Sequence, residues 1–295
     1  MSGLRFVILG RHDSWHVSEL AAAGRRLGHR VDIVPFARLR ALIDPDRAKL
    51  LVENEDLLAA DRVLVRGIPP GSLEQVVFRM DALHRLVAAG VPVLNPPAAI
   101  ETCVDKFLAT ARLQAARLPV PRTAVCESLD EAMIAFSELG GDVVVKPLFG
   151  SEGRGIVRLH DESLAYRVLR TLTTIDAVLY LQEFIAHPGH DVRAFVVGDR
   201  VVAAMRRSSD RDFRTNVARG GRFETHVLSD EWADYAVRAA RAVGARVAGV
   251  DLLPDATGCP LVLEVNSTPG FQALVQTTAV DIPAAIVRHA AETGQ

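Results

Sequence analysis

The sequence has few of the features that mark secreted, membrane or nucleic-acid-binding proteins. Its three cysteines, Cys103, Cys126 and Cys259, are too far apart for a disulfide framework or a zinc site, which fits a reducing cytoplasm. The 34 Lys and Arg residues nearly balance 36 Asp and Glu residues, which argues against a general nucleic-acid or membrane-surface binder. No apolar run is long enough to span a bilayer, and the N-terminal one is too short for a signal peptide. We therefore expect a cytoplasmic protein.

Two common nucleotide-binding signatures are also missing. The first predicted strand, residues 5–9, is followed by Gly10 alone, whereas a dinucleotide-binding fold needs G-x-G-x-x-G at that place. The Walker A sequence G-x-x-x-x-G-K-[ST] does not occur anywhere in the chain. Any nucleotide site must therefore be built in another way.

The chain does contain enough apolar residues for two or three compact lobes. Its 295 residues, 49% of them hydrophobic, exceed one ordinary domain. A strand at 5–9, a helix at 14–27 and a second strand at 30–34 predict a parallel sheet, because β-α-β order requires a crossover. Further strands at 62–65 and 91–94 extend this first lobe.

A helix is predicted after Ser72, where Ser72-Leu73-Glu74-Gln75 forms a capping box. We expect its core face to consist of apolar residues at helical spacing, which are Val76, Met80, Leu83 and Val87.

Two polar loops follow strands of this first lobe. Ligands bind at the carboxyl ends of strands in open α/β sheets, and residues 11–16 and 66–71 stand at such ends. The first loop has two readings, a ligand contact or helix capping by Asp13 or Ser14. In the second loop, Arg66 either faces an anionic ligand or is simply solvated.

A glycine-rich segment follows a predicted strand at 142–146. Gly150, Gly153 and Gly155 make this segment flexible, and its backbone N–H groups could approach phosphates. Lys146, at the end of the strand, needs an anionic partner, and Lys106 lies near the start of a helix predicted at about 104–117. A glycine-rich hairpin alone does not identify a phosphate site.

Near the C-terminus, two strand-like runs place oxygen ligands close together. Residues 247–253 and 261–266 are separated by a segment with turn chemistry, so the runs should pair as a hairpin. Alternation puts Glu264 and Asn266 on one face, with Leu263 and Val265 packed behind them, and Asp251 can join the two. Such an all-oxygen cluster suits Mg²⁺. The alternative is an ordinary hairpin with solvated acids.

In their order, these segments resemble the ATP-grasp superfamily and, within it, the ribosomal-S6-modification (RimK-like) glutamate ligases. The matching segments are residues 95–100, Asp105-Lys106, Val145-Lys146-Pro147 with 150–155, 182–185, Asp191-x-Arg193, 212–216 with 219–221, 249–251 and 264–270. The resemblance covers the whole chain. It implies an α/β ATP-grasp fold with three parts: an N-terminal parallel-sheet pre-ATP-grasp domain at 1–95, a central ATP-grasp lobe with the glycine-rich flap at 96–185, and a C-terminal ATP-grasp lobe with the Mg²⁺ site at 186–295. ATP would bind between the two ATP-grasp lobes.

The resemblance also implies a role for individual residues. The resemblance implies that the phosphates are contacted by Lys106, Lys146, Arg214, Thr215 and Asn216, that Glu183 and Phe184 form the adenine hinge, and that Asp191 contacts the nucleotide. It implies that Arg207 and Arg214 face the transferred phosphoryl group. It also implies that Asp251, Glu264 and Asn266 hold two Mg²⁺ ions, for which Mn²⁺ could substitute. Family members often carry His where this chain has Ala218, which puts a proton-transfer role there in doubt.

The implied activity is an ATP-dependent carbon–nitrogen ligase that joins a carboxylate to an amine through an acylphosphate. The ending Ser267-Thr268-Pro269-Gly270-Phe271 resembles the glutamate-adding branch, so L-glutamate is the expected amine. The acceptor could be a protein C-terminus or a small molecule such as tetrahydromethanopterin, a one-carbon cofactor. A ligase for another amino acid and a non-catalytic ATP-binding protein are the two alternatives. A homo-oligomer stays open, and no nucleic-acid or membrane partner is expected.

Overall fold

The computed structural model describes residues 3–150, 153–209 and 222–292. The N-terminal elements are β1 (Arg5–Leu9), α1 (Trp15–Arg26), β2 (Arg30–Val34), β3 (Leu39–Asp44), β4 (Arg47–Val52), β5 (Glu55–Asp56), β6 (Arg62–Val65), α2 (Leu73–Ala88) and β7 (Val93–Leu94). Strands β2-β1-β6-β7 form a parallel sheet in that order, as predicted. Strands β3, β4 and β5 form a small antiparallel sheet for which we had no prediction.

Helix α2 begins with the predicted capping box. The Ser72 hydroxyl accepts from the Gln75 N–H, and the Gln75 side chain accepts from the Ser72 N–H. Met80 and Leu83 are buried as predicted, but the core assignment of Val87 is wrong, since this side chain is 46% exposed. The buried face of α2 runs through Met80, Ala82, Leu83 and Leu86, so Val87 lies beyond the edge of that face.

The middle of the chain forms an antiparallel sheet with two helices on one face. Its elements are α3 (Pro97–Val104), α4 (Lys106–Ala115), β8 (Thr123–Cys126), α5 (Leu129–Glu138), β9 (Val143–Lys146), β10 (Val157–Leu159), α6 (Glu162–Thr173) and β11 (Leu179–Glu183). The strand order is β10-β9-β11-β8. Val143, Val145 and Leu181 pack with α5 and α6, so alternation turns Lys146 and Gln182 to the opposite face.

A five-stranded antiparallel sheet follows. Its elements are β12 (His190–Val197), β13 (Arg200–Ser208), β14 (Arg222–Thr225), α7 (Asp230–Ala242), β15 (Val247–Pro254), β16 (Pro260–Asn266), α8 (Gln272–Thr277) and α9 (Ile282–Glu292). The order is β14-β13-β12-β15-β16, with α7 packed on one face. Helix α9 returns to pack on α1 of the first sheet. Among the described residues, no helix combines the length and apolar character needed to cross a bilayer. The lobe limits at 95 and 185 stay predictions.

The predicted hairpin near the C-terminus is confirmed, with one correction. Strands β15 and β16 pair antiparallel, and Asp251 lies directly opposite Glu264. The register shifts after Asp251, so Leu252 pairs with Val262 and Leu263 is the extra residue of a β-bulge. Val265 is fully buried as expected, but the bulge turns Leu263 into the same cleft as Glu264, so its prediction as a packing residue behind the acids is wrong.

Asn95, at the end of β7, connects the first sheet with the hairpin. It is 2% exposed, and its side-chain oxygen accepts from the N–H groups of Arg246 and Val247 at 2.8 Å each. Its amide nitrogen donates to the carbonyl groups of Val247 at 2.7 Å and Ser267 at 2.5 Å. This one amide therefore satisfies four buried backbone groups of two adjacent strands.

Replacing Asn95 should destabilise the whole protein. Asn95→Ala leaves buried backbone groups without partners, so we expect a loss of roughly 2–4 kcal/mol in the free energy of unfolding, measured by urea denaturation. Asn54→Ala, at an exposed turn, is the matched control and should change stability by less than about 0.5 kcal/mol. Equal stability of the two variants would contradict this role for Asn95.

Candidate functional site

An open cleft of about 680 Å³ lies between the middle sheet and the C-terminal sheet. Its lining residues are Val144, Lys146, Ile156, Gln182, Glu183, Phe184, Ile185, His187, Asp191, Asp251, Leu253, Leu263 and Glu264. Six of the residues predicted for the site therefore lie on its wall, namely Lys146, Glu183, Phe184, Asp191, Asp251 and Glu264. The cleft has a mostly apolar region around Phe184 and a charged region around Glu264.

Two lysines stand at the charged region. Apart from them, the only lysine in the sequence is Lys49. Lys146 donates to the side-chain oxygen of Gln182 at 2.5 Å, and burial lowers its pKa to about 8. Lys106 donates to the Gly150 carbonyl at 2.9 Å, at the base of the glycine-rich segment, and burial lowers its pKa as well. The negative charge of Glu264 acts against burial and raises the pKa of both amines.

Gln182 orients Lys146, a role that we did not predict. Its amide nitrogen donates to the Thr123 hydroxyl at 3.1 Å and to the Tyr180 hydroxyl at 3.2 Å. Tyr180 in turn is hydrogen-bonded to Thr110 at 2.9 Å. With its nitrogen occupied on that side, Gln182 presents its oxygen to Lys146. The sequence signal was the alternation of β11, which puts Gln182 on the cleft face.

A buried cluster of two arginines and two aspartates forms the floor of the site. Arg193 makes a bidentate pair with Asp251, with both N–O distances 2.7 Å. Arg207 makes a bidentate pair with Asp191 at 2.7 and 2.5 Å and also reaches Asp251 at 3.0 Å. Burial raises the pKa of Asp251, but Arg193 and Arg207 outweigh burial and hold this pKa at about 2. The Asp251 carboxylate is therefore ionised at neutral pH.

Glu264 differs from the two aspartates because no arginine is paired with it in the described residues. Burial, and then the charge of Asp251, raise its pKa, while Lys106, Arg193 and Lys146 act in the opposite direction. With its amide oxygen turned to Arg193, Asn266 accepts from Arg193 and donates to Glu264, both at 3.3 Å. This amide orientation follows from the hydrogen-bond partners.

The oxygen atoms of this corner fit a hard divalent cation. A buried, incompletely neutralised carboxylate such as Glu264 gains from a bound cation, and Mg²⁺ prefers oxygen ligands. Within the part of the chain that the structure describes, no group of three or more His, Cys, Asp or Glu side chains is arranged to hold a metal ion. A magnesium site here would therefore combine carboxylates with the Asn266 amide and with oxygens of a bound phosphate.

The apolar region of the cleft is built around Phe184. Phe184 lines it, with the Arg158 guanidinium 3.4 Å from the centre of the Phe184 ring, and Arg158 is paired with Asp142 at 2.6 and 2.8 Å. The backbone N–H groups of Glu183 and Phe184 donate to the carbonyls of Arg122 and Asp142. Both residues line the cleft, and their role as the adenine hinge stays a prediction.

The remaining predicted residues have different outcomes. Lys106 and Asn266 lie beside the cleft, while Arg207 lies beneath it, 3% exposed, in the buried cluster. Arg214, Thr215, Asn216 and Ala218 lie outside the described residues. Arg193 was noted with Asp191 for its spacing of two, yet its pairing with Asp251 was not predicted, because 58 residues separate the partners.

The domain families that match the chain agree with this geometry. The RimK-like ATP-grasp domain matches residues 103–290, and the RimK PreATP-grasp domain matches residues 4–100. Both matches confirm the resemblance and the ATP-grasp fold predicted from the motifs.

Individual proteins extend the match over nearly the whole chain. The chain is 35% identical over 263 residues to tetrahydromethanopterin:alpha-L-glutamate ligase of Methanosarcina acetivorans, covering 79% of this chain and 81% of that protein. It is 36% identical over 290 residues to a "Probable alpha-L-glutamate ligase" of Xanthomonas euvesicatoria pv. vesicatoria, covering 97% of each. Among solved structures, the ATP-grasp ligase PsnB complexed with minimal precursor, Mg and ADP has a TM-score of 0.78 at 26% identity and covers 98% of this chain and 97% of that one.

The lowered pKa of Lys146 predicts how nucleotide binding depends on pH. In the free protein this pKa is about 8, and a bound polyphosphate raises it by favouring the charged amine. Below pH 8 the amine is protonated in both states, whereas above pH 8 binding must take up a proton. Affinity for ADP without Mg²⁺ should therefore fall as pH rises above 8, by at most about tenfold per pH unit for one proton.

Isothermal titration calorimetry in buffers of different ionisation enthalpy measures this proton uptake directly. We expect Lys146→Met to bind ADP more weakly and to lose the proton uptake that is assigned to Lys146. The variant thus distinguishes proton uptake by Lys146 from proton uptake by Lys106. An unchanged proton uptake in Lys146→Met would show that another group is responsible.

Proposed function

This chain belongs to the RimK-like ATP-grasp family and is an ATP-dependent ligase, and we propose that it adds L-glutamate to a carboxylate acceptor. The observation that carries the proposal is the charged end of the cleft, where Lys106 and Lys146 flank Glu264. An apolar end lined by Phe184 and a charged end with lysines and carboxylate oxygens match a base and a polyphosphate in one cleft.

The reaction begins with attack of the acceptor carboxylate on the γ-phosphorus of ATP, which yields an acylphosphate and ADP. We propose that Lys106 and Lys146 hold the phosphates and that Arg207 and Arg214 face the transferred group. Such positive groups lower the barrier by neutralising charge that develops on the phosphoryl oxygens. The amine of glutamate then attacks the acyl carbon, phosphate leaves, and the ammonium proton is lost to solvent or a base.

We propose that Asp251, Glu264 and Asn266 hold two Mg²⁺ ions, with Mn²⁺ able to substitute, and that Thr215, Asn216 and Asp191 complete the nucleotide contacts. The ions would supply charge neutralisation on the β- and γ-phosphates. The glycine-rich segment at 150–155, held at its base by Lys106, would close over the phosphates and exclude water that would hydrolyse the acylphosphate.

Glutamate is proposed as the amine because the relatives that match most of the chain are both named alpha-L-glutamate ligases. The acceptor is proposed to be either a small molecule with a free carboxylate or a protein C-terminus. We further propose a cytoplasmic location, which the unpaired state of Cys103, Cys126 and Cys259 supports.

Mass spectrometry with isotopically labelled glutamate tests the proposal. Purified protein is incubated with ATP, Mg²⁺, labelled L-glutamate and a cytosolic small-molecule extract, and we expect a metabolite that gains one or more labelled glutamyl units. The parallel reaction contains extract protein as acceptor. Labelling in neither reaction, together with ADP release that depends on another amino acid from a panel, would replace glutamate with that amine.

Two substitutions test the charged end of the cleft. Glu264→Gln and Lys146→Ala should each reduce glutamate-dependent ADP formation by at least about a hundredfold, because the first removes a carboxylate proposed to hold Mg²⁺ and the second removes a positive charge that acts on the phosphates. Circular dichroism should show the native fold in both. Glu162→Gln, exposed on α6, and Lys49→Ala, on β4, make the same changes away from the cleft and should keep full activity. Normal turnover in either cleft variant would contradict the site.

A further inference from the structure

Arg66 is placed at the junction of the first sheet and the segment that follows Asn266. It directly follows β6, and its side chain donates to the Pro269 carbonyl at 2.9 Å. Its guanidinium carbon lies 5.3 Å from the centre of the Phe271 ring. His16, near the start of α1, holds the same segment by accepting from the Phe271 N–H at 3.2 Å. Arg66 is therefore partly buried in the junction, with its guanidinium held by the Pro269 carbonyl, and is not simply solvated.

The charge of Arg66 has no counter-ion among residues 3–150, 153–209 and 222–292. Arg5, Arg193 and Arg207, which are also buried or partly buried, each pair with at least one carboxylate, whereas buried Arg79 bonds the Pro69 carbonyl. The Nε of Arg66 is fully buried and has no hydrogen-bond acceptor in the same residues. Burial lowers the pKa of Arg66 to about 10, yet the group stays charged at neutral pH. A desolvated cation with unused donors gains strongly from an anionic ligand.

The position of Arg66 is also that of a substrate-binding residue. It stands at the carboxyl end of a parallel strand, beside the loop after β1, which is where open α/β sheets bind ligands. Pro269 connects it with the nucleotide cleft, because the Pro269 ring and the Arg193 side chain both lie next to Gly249. A group held at Arg66 would thus lie between the first sheet and the end of β16.

We propose that Arg66 binds a carboxylate group of a substrate of the ligase, on the acceptor or on the incoming glutamate, at a site between the first sheet and the segment 267–271. This inference rests on the proposed function. The bound carboxylate is not the one that reacts, since Arg66 is a binding group separated from the phosphate end by Pro269. Both sources share one chemistry, a carboxylate held by a guanidinium through paired hydrogen bonds.

Binding of two probes to the full-length protein with ADP and Mg²⁺ tests the site. L-Glutamate represents the amine, and N-acetyl-L-glutamate represents an acceptor that lacks a free amine. We expect the wild type to bind at least one probe in isothermal titration calorimetry. Arg66→Gln should weaken that binding by roughly ten- to a hundredfold, the range for a lost charged hydrogen bond. The probe that is affected identifies which substrate carries the carboxylate.

Two further variants separate this role from a structural one. Arg66→Lys keeps the charge but not the paired donors, so its probe affinity should lie between wild type and Arg66→Gln. Arg62→Gln removes an arginine at the other end of β6, which bonds only backbone carbonyls of Asp61, Ala290 and Ala291 in the described residues, and should bind both probes as wild type does. ADP affinity should be equal in all variants.

Three results would overturn the proposal. The first is that neither probe binds to the wild type, and the second is that probe binding is unchanged in Arg66→Gln. The third is that Arg66→Gln loses ADP affinity in parallel with probe affinity, because Arg66 would then only position the segment 267–271. The proposed function fails separately. Wild type that binds a probe through Arg66 but forms no labelled glutamyl product contradicts the glutamate ligase and leaves the carboxylate site standing.

Discussion

The buried pairs Asp191–Arg207 and Arg193–Asp251 are the constraint on which the rest of the site depends. Each pair joins residues that lie directly opposite each other on adjacent strands, and Arg207 also contacts Asp251, so one network spans β13, β12 and β15. Removing one member would leave a buried charge without its partner, which typically costs about 3–5 kcal/mol. The network thus fixes the register of the central strands and, with it, the position of Glu264 opposite Asp251.

This network also makes the carboxylates of the cleft differ in how far their charge is neutralised. Both oxygens of Asp251 already accept hydrogen bonds from arginines, so the charge of Asp251 is largely neutralised within the protein. Glu264 lacks such a partner in the described residues, and its neighbours Lys106 and Lys146 are amines whose protonation burial disfavours. Mg²⁺ and phosphates would therefore complete a set of charges that the polypeptide alone leaves partly uncompensated.

Features that depend on neighbouring residues could be predicted from the sequence, whereas features that depend on contacts between distant residues could not. Turn residues and alternation predicted the β15–β16 hairpin, and the Ser72–Gln75 pair predicted the start of α2. A one-residue bulge has no local signature, so Leu263 was assigned to the wrong side. Val87 was wrongly predicted to be buried because the core face of α2 is centred on Ala82, Leu83 and Leu86, which apolar spacing alone did not distinguish. The partner of Arg193 lies 58 residues away, which spacing along one strand cannot reveal.

The segment after Asn266 is where residues of the N-terminal part contact the end of β16. Asn95 donates to the Ser267 carbonyl, Arg66 to the Pro269 carbonyl, and His16 accepts from the Phe271 N–H. Three residues of the N-terminal part thus hold alternate positions of one short segment that begins directly after Asn266. A carboxylate bound at Arg66, as proposed, would compete for donors with the Pro269 carbonyl. Substrate binding would then be coupled to the position of Asn266 through the two residues between Asn266 and Pro269.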